Sequence, residues 1–146
     1  MDIPCDLAIK IKEICDEGDV LIEMGELKDA FNNFSEALAL VPEPKPDYEI
    51  TASILAGLGD LYFHAKRFAQ GHEVLSDAMH CVGAIGSPFL HMRLGQCQFE
   101  LGNEERAADE LARAYMGAGK EIFEQEDPKY FEFVKTKLDA PMSGEW

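Results

Sequence analysis

Histidine and cysteine are the residues here most able to bind a metal or act as nucleophiles, but their spacing favours neither role. His72 and His80 lie eight residues apart, two turns along one predicted helix, so their imidazoles are too distant to ligate one metal ion. The cysteines at positions 5, 15, 81 and 97 include no Cys-x-x-Cys pair. Neither a glycine-rich phosphate loop nor a Gly-x-Ser-x-Gly element occurs. We therefore expect no enzyme activity, no catalytic residue, no metal and no cofactor.

The net charge of the chain limits the partners that it can bind. Its 146 residues include 13 Lys and Arg against 28 Asp and Glu, a formal net charge of −15. This charge repels phosphate backbones and anionic lipids, so we expect a basic protein as partner rather than nucleic acid or membrane. The acidic N-terminus lacks the features of a secretory signal, which predicts a cytoplasmic protein. We expect a single domain over residues 1–146 and leave its oligomeric state open.

Three glycines, Gly18, Gly59 and Gly95, bring the rest of the chain into register as an internal repeat. The residue twelve positions after each glycine is small: Ala30, Gly71 and Ala107. The residue sixteen positions after it is large and apolar: Phe34, Leu75 and Leu111. The residue nineteen positions after it is alanine: Ala37, Ala78 and Ala114. This pattern resembles the tetratricopeptide repeat (TPR), a unit of about 34 residues that forms two antiparallel helices. We expect the small residues of the two helices to face each other. The alternative is an unrelated helical bundle with coincidental Ala and Gly spacing.

The resemblance implies an all-α fold, an α-α superhelix (TPR solenoid) of three helix-turn-helix repeats with a C-terminal capping helix. The repeats run over about 11–44, 52–85 and 88–121. Solenoids expose an apolar face at their last repeat, which a further helix must cover. Apolar residues at helical spacing after Asp127-Pro128 predict this capping helix at about 128–138.

Some helix ends can be predicted from capping residues. Ser87 and Asp127 each precede a proline, which is the pattern of an N-cap followed by proline in the first turn. Asp47 is placed to cap the first helix of the second repeat. The apolar pair at 122–123 suggests that the last repeat helix continues past Gly119.

The resemblance also implies where a partner would bind. In TPR arrays the first helices of the repeats line a concave groove. The residues six and three positions before the framework glycine of each repeat (Gly18, Gly59 or Gly95), and one, four and five positions after it, face this groove. The candidate partner-binding residues at such positions are Asp19, Ile22, Glu23, Asp60, Phe63, His64, Met92, Gln96, Phe99 and Glu100. The residues four positions after the glycine would form an apolar row of Ile22, Phe63 and Phe99. The residues one position after it would form an acidic to polar row of Asp19, Asp60 and Gln96.

Some residues of these helices have an alternative role in packing. Aligned apolar residues rimmed by charge are typical of a binding surface, but Phe63 or Phe99 packing inward is the alternative. His91 occupies a large, half-buried packing position of the third repeat, so it is expected to pack rather than to ligate. The Lys and Asn residues with which some TPR proteins grip a chaperone's C-terminal carboxylate are absent, because the matching positions hold Cys15, Asp19, Ala56, Asp60, Met92 and Gln96.

Two narrower resemblances compete for the function. Segment 88–103, continued by 113–116 and 126–131, is similar to small bacterial TPR proteins thought to accompany polymorphic toxins as immunity proteins. This resemblance implies that the chain neutralises a cognate toxin by stoichiometric binding. The alternatives are a TPR chaperone of type III secretion translocators, with a similar length, repeat number and acidic balance, or a general TPR adaptor. The proline-rich insertion after the first repeat and the short N-terminal helix depart from that chaperone pattern.

Overall fold

The computed structural model describes residues 2–146, and the regular secondary structure of this range is entirely helical, which confirms the predicted all-α class. The α-helices are α1 (Cys5–Glu23), α2 (Leu27–Leu40), α3 (Glu49–His64), α4 (Phe68–Met79), α5 (Pro88–Glu100), α6 (Glu104–Ala118) and α7 (Pro128–Lys135). The chain divides into two compact units, one that ends at Ile85 and contains α1–α4, and one over Gly86–Trp146 that contains α5–α7. No helix within residues 2–146 combines the length and apolar character needed to cross a bilayer.

The core of the first unit is built around Phe34 of α2, whose side chain is almost fully buried. A methyl group on Gly18 of α1 would lie 2.9 Å from Phe34 Cζ, and one on Gly57 of α3 would lie 2.3 Å from Phe34 Cε1. Both distances are shorter than real carbon contacts, so only glycine lets these helices approach the ring. Ile11 and Ile54 complete this part of the core and are fully buried.

The glycine register corresponds to a repeated contact between the helices of each pair. The atoms nearest to Gly59 belong to Leu75, as those nearest to Gly18 belong to Phe34. In the second unit Leu111 is the nearest neighbour of Gly95, at 2.8 Å from a methyl group placed there. Each glycine therefore faces the large residue sixteen positions on. The large side chain reaches across to the neighbouring helix and packs against the glycine there.

The connection between α2 and α3 closes the end of α2. It contains a 3-10 helix, Lys45–Asp47, that follows a cis peptide bond at Glu43–Pro44. The Nζ atom of Lys45 donates hydrogen bonds to the carbonyl oxygens of Leu38 and Val41, at 2.9 and 2.5 Å. A lysine in this place satisfies carbonyl groups that the last turn of a helix leaves without a partner and complements the helix dipole.

Two of the three predicted N-caps are confirmed. Ser87 Oγ accepts a hydrogen bond of 3.4 Å from the Leu90 backbone N–H, and Asp127 Oδ1 accepts one of 2.9 Å from that of Lys129. Asp47 does not cap α3, because it ends the preceding 3-10 helix and α3 begins two residues later without a side-chain cap.

The C-terminal part of the second unit differs from the sequence prediction in its helix ends. α6 stops at Ala118, because Gly119 has a φ of +74°, and a separate 3-10 helix follows at Lys120–Phe123. The predicted continuation past Gly119 is therefore wrong. α7 ends at Lys135, three residues before the predicted end.

α7 packs against α6 through aromatic side chains. The ring of Phe131 lies 5.9 Å from that of Tyr115 on α6 and stacks at 5.3 Å on Phe123. The ring of Trp146 adds an edge-on contact of 5.8 Å with Tyr115. Aromatic pairs in such arrangements are favourable beyond their buried area. Within the second unit, α7 therefore covers part of the surface of α6, the last helix of the repeats.

Candidate functional site

The carboxylates of Asp19 on α1 and Asp60 on α3 lie close enough for their charges to interact. Each stands one position after a framework glycine. Partial desolvation of its carboxylate raises the pKa of Asp19, and the negative charges of Asp60, Asp16 and Glu23 raise it further. Asp60 Oδ1 lies 3.2 Å from Nε2 of His64, one turn later on α3. Two helices of the first unit thus concentrate negative charge at one place.

The apolar residues predicted beside these acids have two different positions. Phe63 is half-buried, and its ring meets Phe68 edge-on at 5.8 Å and His64 at 5.6 Å. Ile22 is only 8% exposed and belongs to the core of the first unit. The expectation that Ile22 lines an accessible row is therefore corrected, because its side chain packs into the core.

The remaining predicted residues of the first unit are each partly or fully accessible. Glu23 and His64 are exposed, and Asp60 is half-buried. We call the accessible set the α1–α3 face, which consists of Asp19, Glu23, Asp60, Phe63 and His64. The face combines several carboxylates with one aromatic ring, a composition suited to binding a cationic and apolar segment.

The equivalent residues of the second unit are buried. Met92 is 2% exposed and Gln96 is 0% exposed, which corrects the expectation that they line an accessible groove. Gln96 Oε1 accepts a hydrogen bond of 2.7 Å from Arg93 Nη1, and its Nε2 donates one of 2.9 Å to Glu126 Oε1. Arg93 and Glu126 also form an ion pair, and both side chains are largely buried. Gln96 is therefore a member of a buried polar network.

Phe99 and Glu100 are half-buried and covered by α7. The Phe99 ring packs edge-on against Tyr130 at 5.5 Å and Phe133 at 5.0 Å. Glu100 Oε1 accepts a hydrogen bond of 2.7 Å from the Tyr130 hydroxyl and lies 2.6 Å from Nζ of Lys129. The open possibility that Phe99 packs inward agrees with these contacts. The chain's own residues occupy this side of α5.

These contacts shift the pKa values of Glu100 and of the two groups that bind it. Burial alone would raise the pKa of Glu100, but hydrogen bonds from Lys129 and Tyr130 outweigh it and lower the pKa. The hydrogen bond to Glu100 raises the pKa of Lys129. Burial, and then the hydrogen bond to Glu100, raise the pKa of Tyr130. All three groups therefore keep the charge states that hold α7 on α5 at neutral pH.

Sequence reasoning did not identify Arg93 and Glu126 as partners. Arg93 stands outside the positions that TPR geometry assigns to the groove, and Glu126 lies 33 residues further along the chain. A charged residue in the middle of an otherwise buried helix was the one available signal, because such a residue almost always needs a partner of opposite charge.

The surroundings of the histidines and cysteines do not resemble a metal site or a nucleophilic site. His91 is buried as expected, and its Nδ1 lies 2.5 Å from Glu110 Oε2 on α6, a contact that sequence reasoning missed. Burial raises the pKa of Cys97 to about 12 and that of Cys15 to about 11, so both thiols are protonated at neutral pH. Among residues 2–146, no three His, Cys, Asp or Glu side chains are grouped so as to hold a metal ion.

Comparisons with known proteins bear on the fold. No family model matches the chain, and no curated protein matches it. Among solved structures it is similar to the type III secretion chaperone SycD of Yersinia enterocolitica, which was determined in complex with a peptide of the translocator YopD. The TM-score is 0.67 with 16% sequence identity, covering 87% of this chain and 91% of that chain. This likeness confirms the predicted TPR-like superhelical fold.

Proposed function

We propose that this chain is a non-enzymatic protein-binding module that holds a segment of a partner protein on the α1–α3 face. The observation that carries the proposal is that carboxylates from two helices, Asp19 and Asp60, interact through their charges, while the half-buried Phe63 follows Asp60 by three residues on α3. The acidic side chains of this face attract a basic segment of a partner. The aromatic ring adds apolar area for the partner to bury.

The narrower function that the comparisons favour is that of a chaperone for a secreted client. The fold is similar to that of SycD, whose structure holds a peptide of a translocator. By analogy, this chain would shelter a segment of its client until the client is used. The support is a similarity of fold, and the resemblance in sequence length and acidic balance agrees with it.

An immunity protein is the second candidate, and the net charge of −15 favours it. Many toxin domains that act on nucleic acid are basic, and opposite charge speeds the capture of such a domain. The two candidates share the same face and differ in the partner. A chaperone keeps its client soluble, whereas an immunity protein keeps its host alive.

Co-expression with the product of an adjacent gene tests the proposal. We expect the partner to co-purify in a stoichiometric complex, and Asp19→Asn with Asp60→Asn to weaken this complex and its salt dependence. The matched control is Glu36→Gln with Glu73→Gln, which removes the same charge from exposed sites on α2 and α4. If both double variants retain the partner equally, the α1–α3 face is not the binding site.

The same experiment separates the two candidates. For a chaperone, the partner is found in the soluble fraction only when this chain is present, and the host grows in either case. For an immunity protein, the host dies without this chain and survives with it. Death of the host in both cases contradicts the immunity candidate.

A further inference from the structure

Three aromatic rings of the second unit contact one another directly. The Phe131 ring of α7 stacks on Phe123 at 5.3 Å and lies 5.9 Å from the ring of Tyr115 on α6. Phe123 is buried, whereas Phe131 and Tyr115 are half-buried and reach the surface of the unit. We call these two half-buried rings the aromatic site. Because their own contacts hold them together, the site is formed before any further ring is added to it.

The aromatic site is occupied by a fourth ring from the same chain. The indole of Trp146 meets Tyr115 at 5.8 Å and Phe131 at 6.3 Å, and the planes of the last two rings are 88° apart. Both contacts are edge-on, an arrangement that is favourable beyond the area it buries. The observed occupant thus defines the chemistry of the site, which receives the edge of an aromatic side chain.

The segment that carries Trp146 has few other contacts that would hold it. In the irregular stretch 136–145 only Leu138 and Pro141 are half-buried, and every other residue is exposed, including Met142. A segment of this kind loses conformational freedom when it is held in one place, and the contacts of its ring must offset that loss. Trp146 therefore leaves the aromatic site at a small cost in free energy.

We propose that the aromatic site is a docking site for an aromatic side chain of a partner protein, which Trp146 occupies until the partner displaces it. The exchange replaces one edge-on ring by another, so the site loses no favourable contact. A partner residue on an ordered segment also loses less conformational freedom than Trp146 does on stretch 136–146. The site belongs to the second unit, and the inference goes beyond the binding role proposed for the α1–α3 face.

A labelled peptide with the sequence of residues 141–146, blocked at both ends, is the probe. Its one charged side chain, Glu145, has the sign of the protein's net charge, so nonspecific attraction is small. Fluorescence anisotropy should detect binding to the full chain with Trp146→Gly below about 1 mM, the effective concentration of a short flexible tether. Binding to the parent and to Trp146→Phe should be roughly tenfold weaker, because a tethered ring competes for the site. The peptide with Trp146→Ala should not bind.

A second substitution in the Trp146→Gly chain locates the bound peptide. Tyr115→Leu should weaken binding roughly tenfold, because it removes one of the two rings of the site. Tyr62→Leu is the matched control: Tyr62 is also half-buried, and its ring pairs with Phe31 in the first unit. It should change binding less than about twofold. Circular dichroism verifies that each variant keeps its helices.

Three results of the peptide titrations would overturn the proposal. They are no binding to Trp146→Gly up to about 1 mM, equal binding to Trp146→Gly and Trp146→Phe, and binding that withstands Tyr115→Leu. The comparison of the two Trp146 variants leaves every helix unchanged, so it decides the matter even where Tyr115→Leu loses helical signal.

The co-purified complex then shows whether a partner uses the site. We expect Tyr115→Leu to weaken the complex with the product of the adjacent gene roughly tenfold, and Tyr62→Leu to leave it unchanged. A complex that withstands Tyr115→Leu overturns the docking role. That result leaves the proposed function standing, because the α1–α3 face is tested separately by Asp19→Asn with Asp60→Asn.

Discussion

The hydroxyl of Tyr130 on α7 donates a hydrogen bond of 2.7 Å to the carboxylate of Glu100 on α5. Glu100 stands five positions after a framework glycine, where the TPR pattern places residues that contact a partner. Its carboxylate is used instead to hold α7, together with Lys129 at 2.6 Å. A residue predicted to bind a partner thus has a structural role, because side chains of α7 bind its carboxylate.

Tyr130→Phe should lower the free energy of unfolding by about 1.5–3 kcal/mol, the range for hydrogen bonds to charged groups. The measurement is urea unfolding followed by circular dichroism. Tyr62→Phe is the matched control, because the Tyr62 hydroxyl has no hydrogen bond with a residue in the described range 2–146. Its effect should be below about 0.5 kcal/mol.

The effect of Tyr130→Phe should depend on pH. The pKa of Glu100 is lowered in the folded chain, so its stabilising contribution is complete above its unfolded pKa of about 4.3 and is lost as pH falls through the lower folded value. The difference between the variant and the parent should therefore shrink in acid. A difference that stays constant from pH 7 to pH 3 would contradict the hydrogen bond to the ionised carboxylate.

Asp19→Asn should stabilise the chain at pH 7 while weakening partner binding. The pKa of Asp19 is raised in the folded state, so its ionised form costs stability at neutral pH, and the cost disappears as the pH falls through the raised pKa. The gain should be below about 1 kcal/mol, because exposed charges interact weakly. Urea unfolding at pH 7 and in acid measures both values. Equal stability of parent and variant at pH 7 would be evidence against repulsion from Asp60.

Gln98→Leu should raise the free energy of unfolding by about 1–3 kcal/mol. Gln98 is buried, and its Oε1 accepts no hydrogen bond from any residue within 2–146. The equivalent residue of the first repeat is Leu21. Gln96→Leu is the contrasting variant and should destabilise by a similar amount, because it removes hydrogen bonds from the buried Arg93 and Glu126. Thermal unfolding of both variants tests the opposite signs.

Gly57→Ala should destabilise the chain by about 1–3 kcal/mol, although alanine favours helix over glycine. The added methyl group would lie 2.3 Å from the Phe34 ring, which cannot move because it is almost fully buried. Gly86→Ala is the control: no atom lies within 4 Å of its added methyl group, so its effect should be small. Equal unfolding midpoints for the two variants would show that Phe34 can repack.

Phe63→Ala and Phe99→Ala should have different effects. Phe63→Ala should weaken partner binding by about 2 kcal/mol with little loss of helical signal. Phe99→Ala should mainly destabilise the second unit, because Phe99 packs against Tyr130 and Phe133. Isothermal titration with the partner and urea unfolding separate the two quantities. A loss of partner affinity in Phe99→Ala without a loss of stability would mean that α7 leaves α5 on binding.

The features that depend on neighbours along the chain could be predicted from the residues alone. The resemblance of the repeat register to the TPR implied the all-α class, and the same register identified Leu75 and Leu111, which meet Gly59 and Gly95. The caps at Ser87 and Asp127 were predictable because an N-cap bonds to an amide two or three residues away. Local signals failed where two competed, as at Asp47, which the 3-10 helix holds away from α3.

Which of the predicted partner-binding residues are accessible depends on contacts between distant parts of the chain. The register states the direction in which a side chain leaves its helix, and this direction is the same for Asp60 and Gln96. The register does not specify which other part of the chain packs against that side chain. Gln96 is hydrogen-bonded to Glu126, and Glu100 to Tyr130, each 30 residues further along the chain. Such distant pairs form because burying α7 on α5 and α6 removes apolar surface from water, a gain that no local pattern encodes.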